Sequence, residues 1–305
     1  MPVQPAHEII EGLSRPQASI SPKYFYDAKG SRLFEQITRL PEYYPTRTEQ
    51  AILARHAAEI ARRVGKGRIV IEPGAGNCEK ARVLCRAIEA SRYVAVDISA
   101  DFLTQAAQRL RDEMPQLQVH AVGGDLTQEI VLPHDLPRGH RLVYYPGSSI
   151  GNFDRPQALD VLARMRGLVE RDGALLVGVD LRKDVAVLEP AYDDAAGVTA
   201  AFNLNALDHV NRLVGSDFHL NQWRHRAFFN PEASRIEMHL EAKTDLDVHW
   251  PGGGRHFAPG ERIHTESSYK YDIEGFAHLL HAAGFHHSVA WTDERRWFAV
   301  VLATP

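Results

Sequence analysis

The sequence predicts a doubly wound α/β sheet that closes with an antiparallel hairpin and is interrupted by a second, α+β region. Three observations predict it. From about residue 48 to 183, short apolar runs alternate with helical patterns, as in parallel strands joined by crossover helices. The last two apolar runs are separated only by Thr292-Asp293-Glu294-Arg295, so they must fold back on each other, because a parallel pair needs a crossover of about a dozen residues. Between 184 and 270 the alternation stops, and aromatics, His and Asn become frequent.

Glu49 to Val64 places Ile52, Leu53, Ala57, Ile60, Ala61 and Val64 at helical spacing. The strand Arg68–Glu72 runs into Pro73-Gly74-Ala75-Gly76, and a helix follows from about Cys78 to Ala90. Tyr93–Asp97 is the second strand, followed by a helix through Leu110. The third strand, Leu117–Val122, is closed by Gly123-Gly124-Asp125. Arg141–Tyr145 and Ala174–Asp180 are strands flanking a helix from Gln157 to Glu170. In the irregular stretch only Arg235–Leu240 alternates weakly, and Pro251-Gly252-Gly253-Gly254 reads as a flexible loop. A helix from Ile273 to Ala283 then leads to the closing strands, Ser288–Trp291 and Trp297–Leu302. The expected division is 48–183 with 271–305 in one domain, and 1–47 with 184–270 in the other.

Composition excludes several classes of function. With 44% apolar and 24% charged residues, the chain has ample material for a core and needs no disulfide scaffold. Its formal net charge of -4 gives no polyanion-binding surface, so no nucleic-acid partner is expected. No apolar run approaches the ~20 residues that span a bilayer, and no membrane association is expected. Met1-Pro2-Val3-Gln4-Pro5 lacks the basic and apolar segments of a secretory signal. Cys78 and Cys85, seven residues apart on one helix, are too far apart for a disulfide. The expected setting is a reduced cytoplasm.

The first chemical signal is Glu72-Pro73-Gly74-Ala75-Gly76, between a strand and a helix. Glycines there let a ligand approach the backbone, and the helix start offers free N–H groups. Asp97 ends the second strand 25 residues after Glu72, where an acidic residue grips ribose hydroxyls. Gly124-Asp125-Leu126 ends the third strand, placed to read an adenine edge. Together these features point to an adenosine-containing ligand. The third glycine of a dinucleotide fingerprint is absent, since Asn77-Cys78-Glu79 follows Gly76. An acidic Glu72 at the head of the loop suits a cation better than a pyrophosphate, which favours S-adenosylmethionine. By analogy of fold, the expectation is a class I, Rossmann-like methyltransferase sheet.

Longer stretches narrow this. Lys23-Tyr24-Phe25-Tyr26-Asp27, Gly30-Ser31-Arg32-Leu33-Phe34 and Ile37-Thr38-Arg39-Leu40-Pro41-Glu42-Tyr43-Tyr44-Pro45-Thr46-Arg47 form the first set. Pro146-Gly147-Ser148-Ser149-Ile150-Gly151-Asn152-Phe153 and Ala191-Tyr192-Asp193-Asp194-Ala195 with Phe202-Asn203-Leu204-Asn205 form the second. Ile263-His264-Thr265-Glu266-Ser267-Ser268-Tyr269-Lys270-Tyr271 is the third. With these motifs the chain, from residue 20 onward, resembles the histidine-specific N-alpha-methyltransferases of ergothioneine biosynthesis. The resemblance implies three transfers from S-adenosylmethionine to the alpha-amino group of free L-histidine. The intermediates are its mono- and dimethyl forms, the products hercynine and S-adenosylhomocysteine. It also implies that the second domain covers the substrate. It assigns Asn152 and Tyr192 to the substrate's carboxylate and amino end, and Glu266 and Ser268 to the imidazole. Tyr26 and Tyr43 fall in the same pocket, with Met238 packing the ring. For the cofactor it matches Gly74, Lys80, Asp97, Asp125 and Leu126. Pro73, where the family more often has an aliphatic residue, and Asn77-Cys78, in place of a hydroxyl-rich pair, depart from the pattern in the cofactor loop.

Simpler readings compete for single residues. Asn152 is also placed to cap the next helix, Lys80 to be a solvated first-turn residue, and Met238 to fill a core. His278, His281, His286 and His287 cluster without ligand spacing, so no metal is expected. No general base is assigned, and a monomer is expected. Two functional alternatives stand beside the first: the same chemistry on another aromatic amino acid such as tryptophan, and a non-catalytic, cofactor-binding regulator.

Overall fold

The structure, a computed structural model, describes residues 5–305, the side chain of Asp101 apart, so the reading of Met1–Gln4 lies outside it. The chain opens with helices α1 (Pro5–Ser14), α2 (Ala28–Ile37) and α3 (Tyr44–Val64). Next come β1 (Ile69–Pro73), α4 (Glu79–Ala87), β2 (Arg92–Asp97), α5 (Ala100–Glu113), β3 (Gln118–Gly123) and β4 (Arg141–Tyr145). Then follow α6 (Arg155–Val169), β5 (Ala174–Asp180), the single turn α7 (Val185–Leu188) and α8 (Val198–Val214). The later strands are β6 (Trp223–Asn230), β7 (Arg235–Ala242), β8 (Leu246–Trp250), β9 (Gly253–Phe257) and β10 (Arg262–Tyr269). The chain ends with α9 (Ile273–Ala282), β11 (His287–Thr292) and β12 (Phe298–Thr304). Among the described residues no helix is long and apolar enough to cross a membrane.

Two compact units result: Met1–Tyr44 with Lys183–Ser268, and Pro45–Arg182 with Tyr269–Pro305. The second holds a seven-stranded sheet in the order β11-β12-β5-β4-β1-β2-β3. β1 to β5 run parallel, while β12 is antiparallel to both β5 and β11. Alternate residues of each strand feed cores on the two faces. Val70, Tyr93, Leu142 and Leu176 join side chains of α3, α4 and α5; Ile71, Val94, Val143 and Val177 join those of α6 and α9. Burial on both faces explains why these strands read as unbroken apolar runs. β1 lies between β2 and β4, so the chain reverses its winding there, and the loop after β1 sits at a topological switch point.

The first unit carries a three-stranded sheet, β10-β7-β6, and the separate β8–β9 hairpin. Its core joins Ile9 and Leu13 of α1, Leu207 and Val210 of α8, and Trp223, Leu240, Val248 and Phe257 from the strands. The Pro251–Gly254 stretch is no flexible loop. Trp250 pairs with Gly253, leaving Pro251-Gly252 as a two-residue turn with Gly252 at φ 86°, and Gly253 and Gly254 within β9. Positive φ at the second central residue is the requirement of a type II turn, and proline is favoured at the first.

Candidate active site

The loop after β1 is held by backbone geometry. Gly74 and Ala75 both donate to the carbonyl of Val96, at 2.8 and 3.0 Å, which ties the loop to the end of β2. Gly74 at φ 72° and Gly76 at φ 51° take the left-handed region that favours glycine. A Cβ on Gly76 would meet nothing within 4 Å, and one on Gly74 only Leu126 Cδ1 at 3.8 Å. The cradle is thus open space bordered by an apolar side chain. Asp97 completes it: Oδ2 accepts from Gly76 N–H and Oδ1 from Ser99 N–H, both at 2.9 Å. Asp125 Oδ1 accepts from Thr127 N–H at 2.8 Å, which shapes the turn that carries Leu126. A glycine cradle, a strand-end carboxylate and an apolar edge fit an adenosine moiety.

Lys80 is not a solvated residue. Its Nζ donates to Glu49 Oε2 at 2.9 Å, and that carboxylate, 1% exposed, also accepts from Gly147 N–H at 2.8 Å. A Cβ at Gly178 would lie 2.1 Å from Glu49 Oε1, so only glycine in β5 admits this carboxylate. Glu49 thereby links the cofactor loop's helix to the turn after β4. The sequence reading passed over it, because a lone acidic residue in a helical pattern carries no signal of a partner 98 residues away.

Glu72 requires a correction of rationale. It is 1% exposed and accepts a 2.6 Å hydrogen bond from Tyr93 Oη. Burial, the largest cause, pushes its pKa up from 4.5 to about 8. At neutral pH the carboxyl is mostly protonated and supplies hydrogen bonding rather than the charge the sequence argument asked of it. The folded group holds a proton that the unfolded chain has released, so stability falls as pH rises from 4.5 to about 8. Glu72→Gln is therefore expected to flatten that slope, gaining on the wild type by up to about 1.4 kcal/mol per pH unit across the window. Chemical denaturation at several pH values measures this, and parallel slopes would refute it.

In the same unit, Asn152 ends the short 3-10 turn Ser149–Asn152. It does not cap α6, because Asp154 and Gln157 form a reciprocal capping box there. The turn is braced from behind. Asp180 N–H donates to Ser148 Oγ at 2.8 Å, and Asp180 pairs at 2.8 Å with Lys270, the two side chains being 1% and 0% exposed.

The other unit contains the remaining substrate candidates. Tyr26, Phe34, Tyr43 and Tyr192 form a run of edge-on ring contacts, with successive centroids 5.7, 6.3 and 6.3 Å apart. Tyr192 Oη lies 2.7 Å from Ser268 Oγ. Phe202 packs against Tyr26 and Phe34, at 5.7 and 5.9 Å. Four of the six candidates in this unit are thus connected, and Phe34 and Phe202 join a set to which the sequence reading had not assigned them. Met238 and Glu266 are both buried, and the carbonyl of Met238 accepts from the hydroxyl of Thr265 at 3.0 Å, next to Glu266. Asn205 donates to Asp27 Oδ1 at 2.9 Å, fixing the N-cap of α2 beside Tyr26.

Three potential metal ligands that the sequence reading did not group, Glu237, His239 and His264, lie within 4.8 Å of one another. The Glu237 carboxylate already accepts from Asn230 and Arg235 and pairs with His239 Nε2 at 2.9 Å, which is the pattern of a hydrogen-bonded network.

Comparison with known proteins agrees with this architecture. The family model for histidine-specific, S-adenosylmethionine-dependent methyltransferases matches residues 5–305. The histidine N-alpha-methyltransferase of Mycolicibacterium smegmatis is 40% identical, over 97% of this chain and 93% of its own length. That of Mycobacterium tuberculosis is 38% identical over the same shares. Ergothioneine biosynthesis protein 1 of Neurospora crassa is 30% identical over 91% of this chain, which spans 32% of that longer protein. Among solved structures, an S-adenosylmethionine-dependent methyltransferase from Clostridium acetobutylicum superposes with a TM-score of 0.50 at 11% identity, covering 90% of this chain and 97% of its own, a likeness of fold alone. The chain belongs to the histidine-specific, S-adenosylmethionine-dependent methyltransferase family.

Proposed function

We propose that this protein methylates the alpha-amino group of free L-histidine three times, through the mono- and dimethyl forms, to give hercynine. The observation that carries the reading is the family match along residues 5–305, and the assignments of Asn152, Tyr192, Glu266 and Ser268 follow from the resemblance of the stretches that contain them. Bound S-adenosylmethionine supplies an electrophilic methyl group and leaves as S-adenosylhomocysteine. The protein's part is positioning. Asp97, Gly74 and Gly76 hold the ribose end, Asp125 and Leu126 the adenine, Lys80 fixes the loop through Glu49, and Glu72 contributes a hydrogen bond. Asn152 and Tyr192 bind the amino-acid backbone, Glu266 and Ser268 the imidazole, and Met238 packs its ring. Tyr26 and Tyr43 offer ring faces and hydroxyls that tolerate a growing cationic head without trapping it as a paired carboxylate would. The ammonium proton leaves to water before each transfer, and no residue is assigned as general base.

In this reading residues 48–183 with 271–305 form the cofactor domain, and 1–47 with 184–270 the substrate domain, of a cytoplasmic monomer. Incubation with S-adenosylmethionine and L-histidine, followed by mass spectrometry, is expected to show species with one, two and three added methyl groups, all on the alpha nitrogen. Methylation of an imidazole nitrogen instead would overturn the orientation assigned to the substrate.

A further inference from the structure

Asn203, in the Phe202-Asn203-Leu204-Asn205 motif of α8, has no role in the site described above, yet it is fully buried. Its Nδ2 donates to the carbonyl of His239 at 3.0 Å and lies 2.8 Å from His225 Nδ1. His225 Nε2 lies 2.8 Å from the carbonyl of Tyr192. The acceptors fix every proton in this chain. A carbonyl only accepts, so the amide nitrogen of Asn203, not its oxygen, must face His239. His225 Nδ1 must then accept from the same amide, and Nε2 must carry the proton it donates to Tyr192. The imidazole is held neutral in one tautomer, and its burial, the largest cause, lowers its pKa in the same sense.

We propose that Asn203 and His225 are positioning residues for Tyr192, fixing its backbone so that its hydroxyl meets Ser268. The inference rests on the substrate reading above and deepens it. The segment around Tyr192 is a 3-10 turn of three residues, Glu189–Ala191, which has little regular structure of its own to hold a side chain. A hydrogen bond from a strand residue to the carbonyl of Tyr192, which caps that turn, supplies that constraint. Small misplacements of a binding group cost up to about a hundredfold in rate.

The test is a double-mutant cycle on the full chain, with steady-state kinetics on L-histidine. His225→Phe is expected to lower kcat/KM for histidine ten- to a hundredfold, mostly through KM, with unchanged affinity for S-adenosylmethionine. Introduced on top of Tyr192→Phe, the same change is expected to cost less than about threefold, because its effect passes through Tyr192. Equal losses in both backgrounds, or no loss in either, would overturn the proposal. Should His225→Phe lose cooperative unfolding, His225→Gln and His225→Asn decide. Glutamine presents a donor near the Nε2 position and is expected to keep kcat/KM within about threefold, whereas the shorter asparagine falls at least tenfold; equal activities would overturn the proposal. Wild-type protein that methylates no histidine would instead contradict the substrate reading itself, before any variant is compared.

Discussion

Glu266→Ala is expected to lower kcat/KM for L-histidine by about one to two orders of magnitude, while affinity for S-adenosylmethionine stays within about twofold of wild type. Glu266 is 8% exposed on β10, so a ligand N–H that it accepts is bound out of bulk water. Hydrogen bonds to charged groups contribute about 1.5–3 kcal/mol, and a site built around one discriminates strongly against ligands that cannot pair with it. In the proposed binding mode, alanine removes the acceptor and leaves the imidazole N–H buried without a partner. The cofactor candidates lie in the other compact unit, which is why the two affinities separate. Steady-state kinetics with histidine and equilibrium titration with S-adenosylmethionine measure the two quantities. A loss of cofactor affinity equal to the loss in kcat/KM would show that Glu266 acts on folding rather than on the imidazole.

Lys270→Met is expected to be strongly destabilising, by about 3–5 kcal/mol. Lys270 and Asp180 pair at 2.8 Å with side chains 0% and 1% exposed, so removing the ammonium strands the carboxylate in the interior without this counter-charge. At about 1.5–2 °C per kcal/mol for a chain of 305 residues, the melting temperature falls by about 5–10 °C. Replacing both partners, Lys270→Met with Asp180→Leu, removes both charges and is expected to recover most of the loss. Thermal unfolding of the single and double variants checks the pair; a double variant less stable than either single would show that the charges are net stabilising.

The parts of the fold legible in the sequence were those whose physics is local. β1, β2, β4 and β5 are covered on both faces and appear as apolar runs, and the β11–β12 hairpin follows from the shortness of its loop. The strands of the other unit were harder to see. β6 is mostly half-exposed and carries Arg224, His225 and Arg226, and β9 opens with two glycines, so neither shows a clean apolar pattern. In the site, Asp97 and the glycine loop were legible because strand ends fix their positions. Glu49, Asn203 and His225 were not, since each acts through partners distant in sequence. The charge argued for Glu72 failed for the same reason: its protonation is set by burial, which no local pattern reveals.

The most direct measurement mixes the protein with S-adenosylmethionine and an equimolar panel of free amino acids, and identifies methylated products by mass spectrometry. The account predicts N-alpha-trimethylhistidine as the dominant product. Dominant methylation of a different amino acid would contradict the imidazole assignment of Glu266 and Ser268, and cofactor binding without any methylated product would contradict the enzyme reading as a whole.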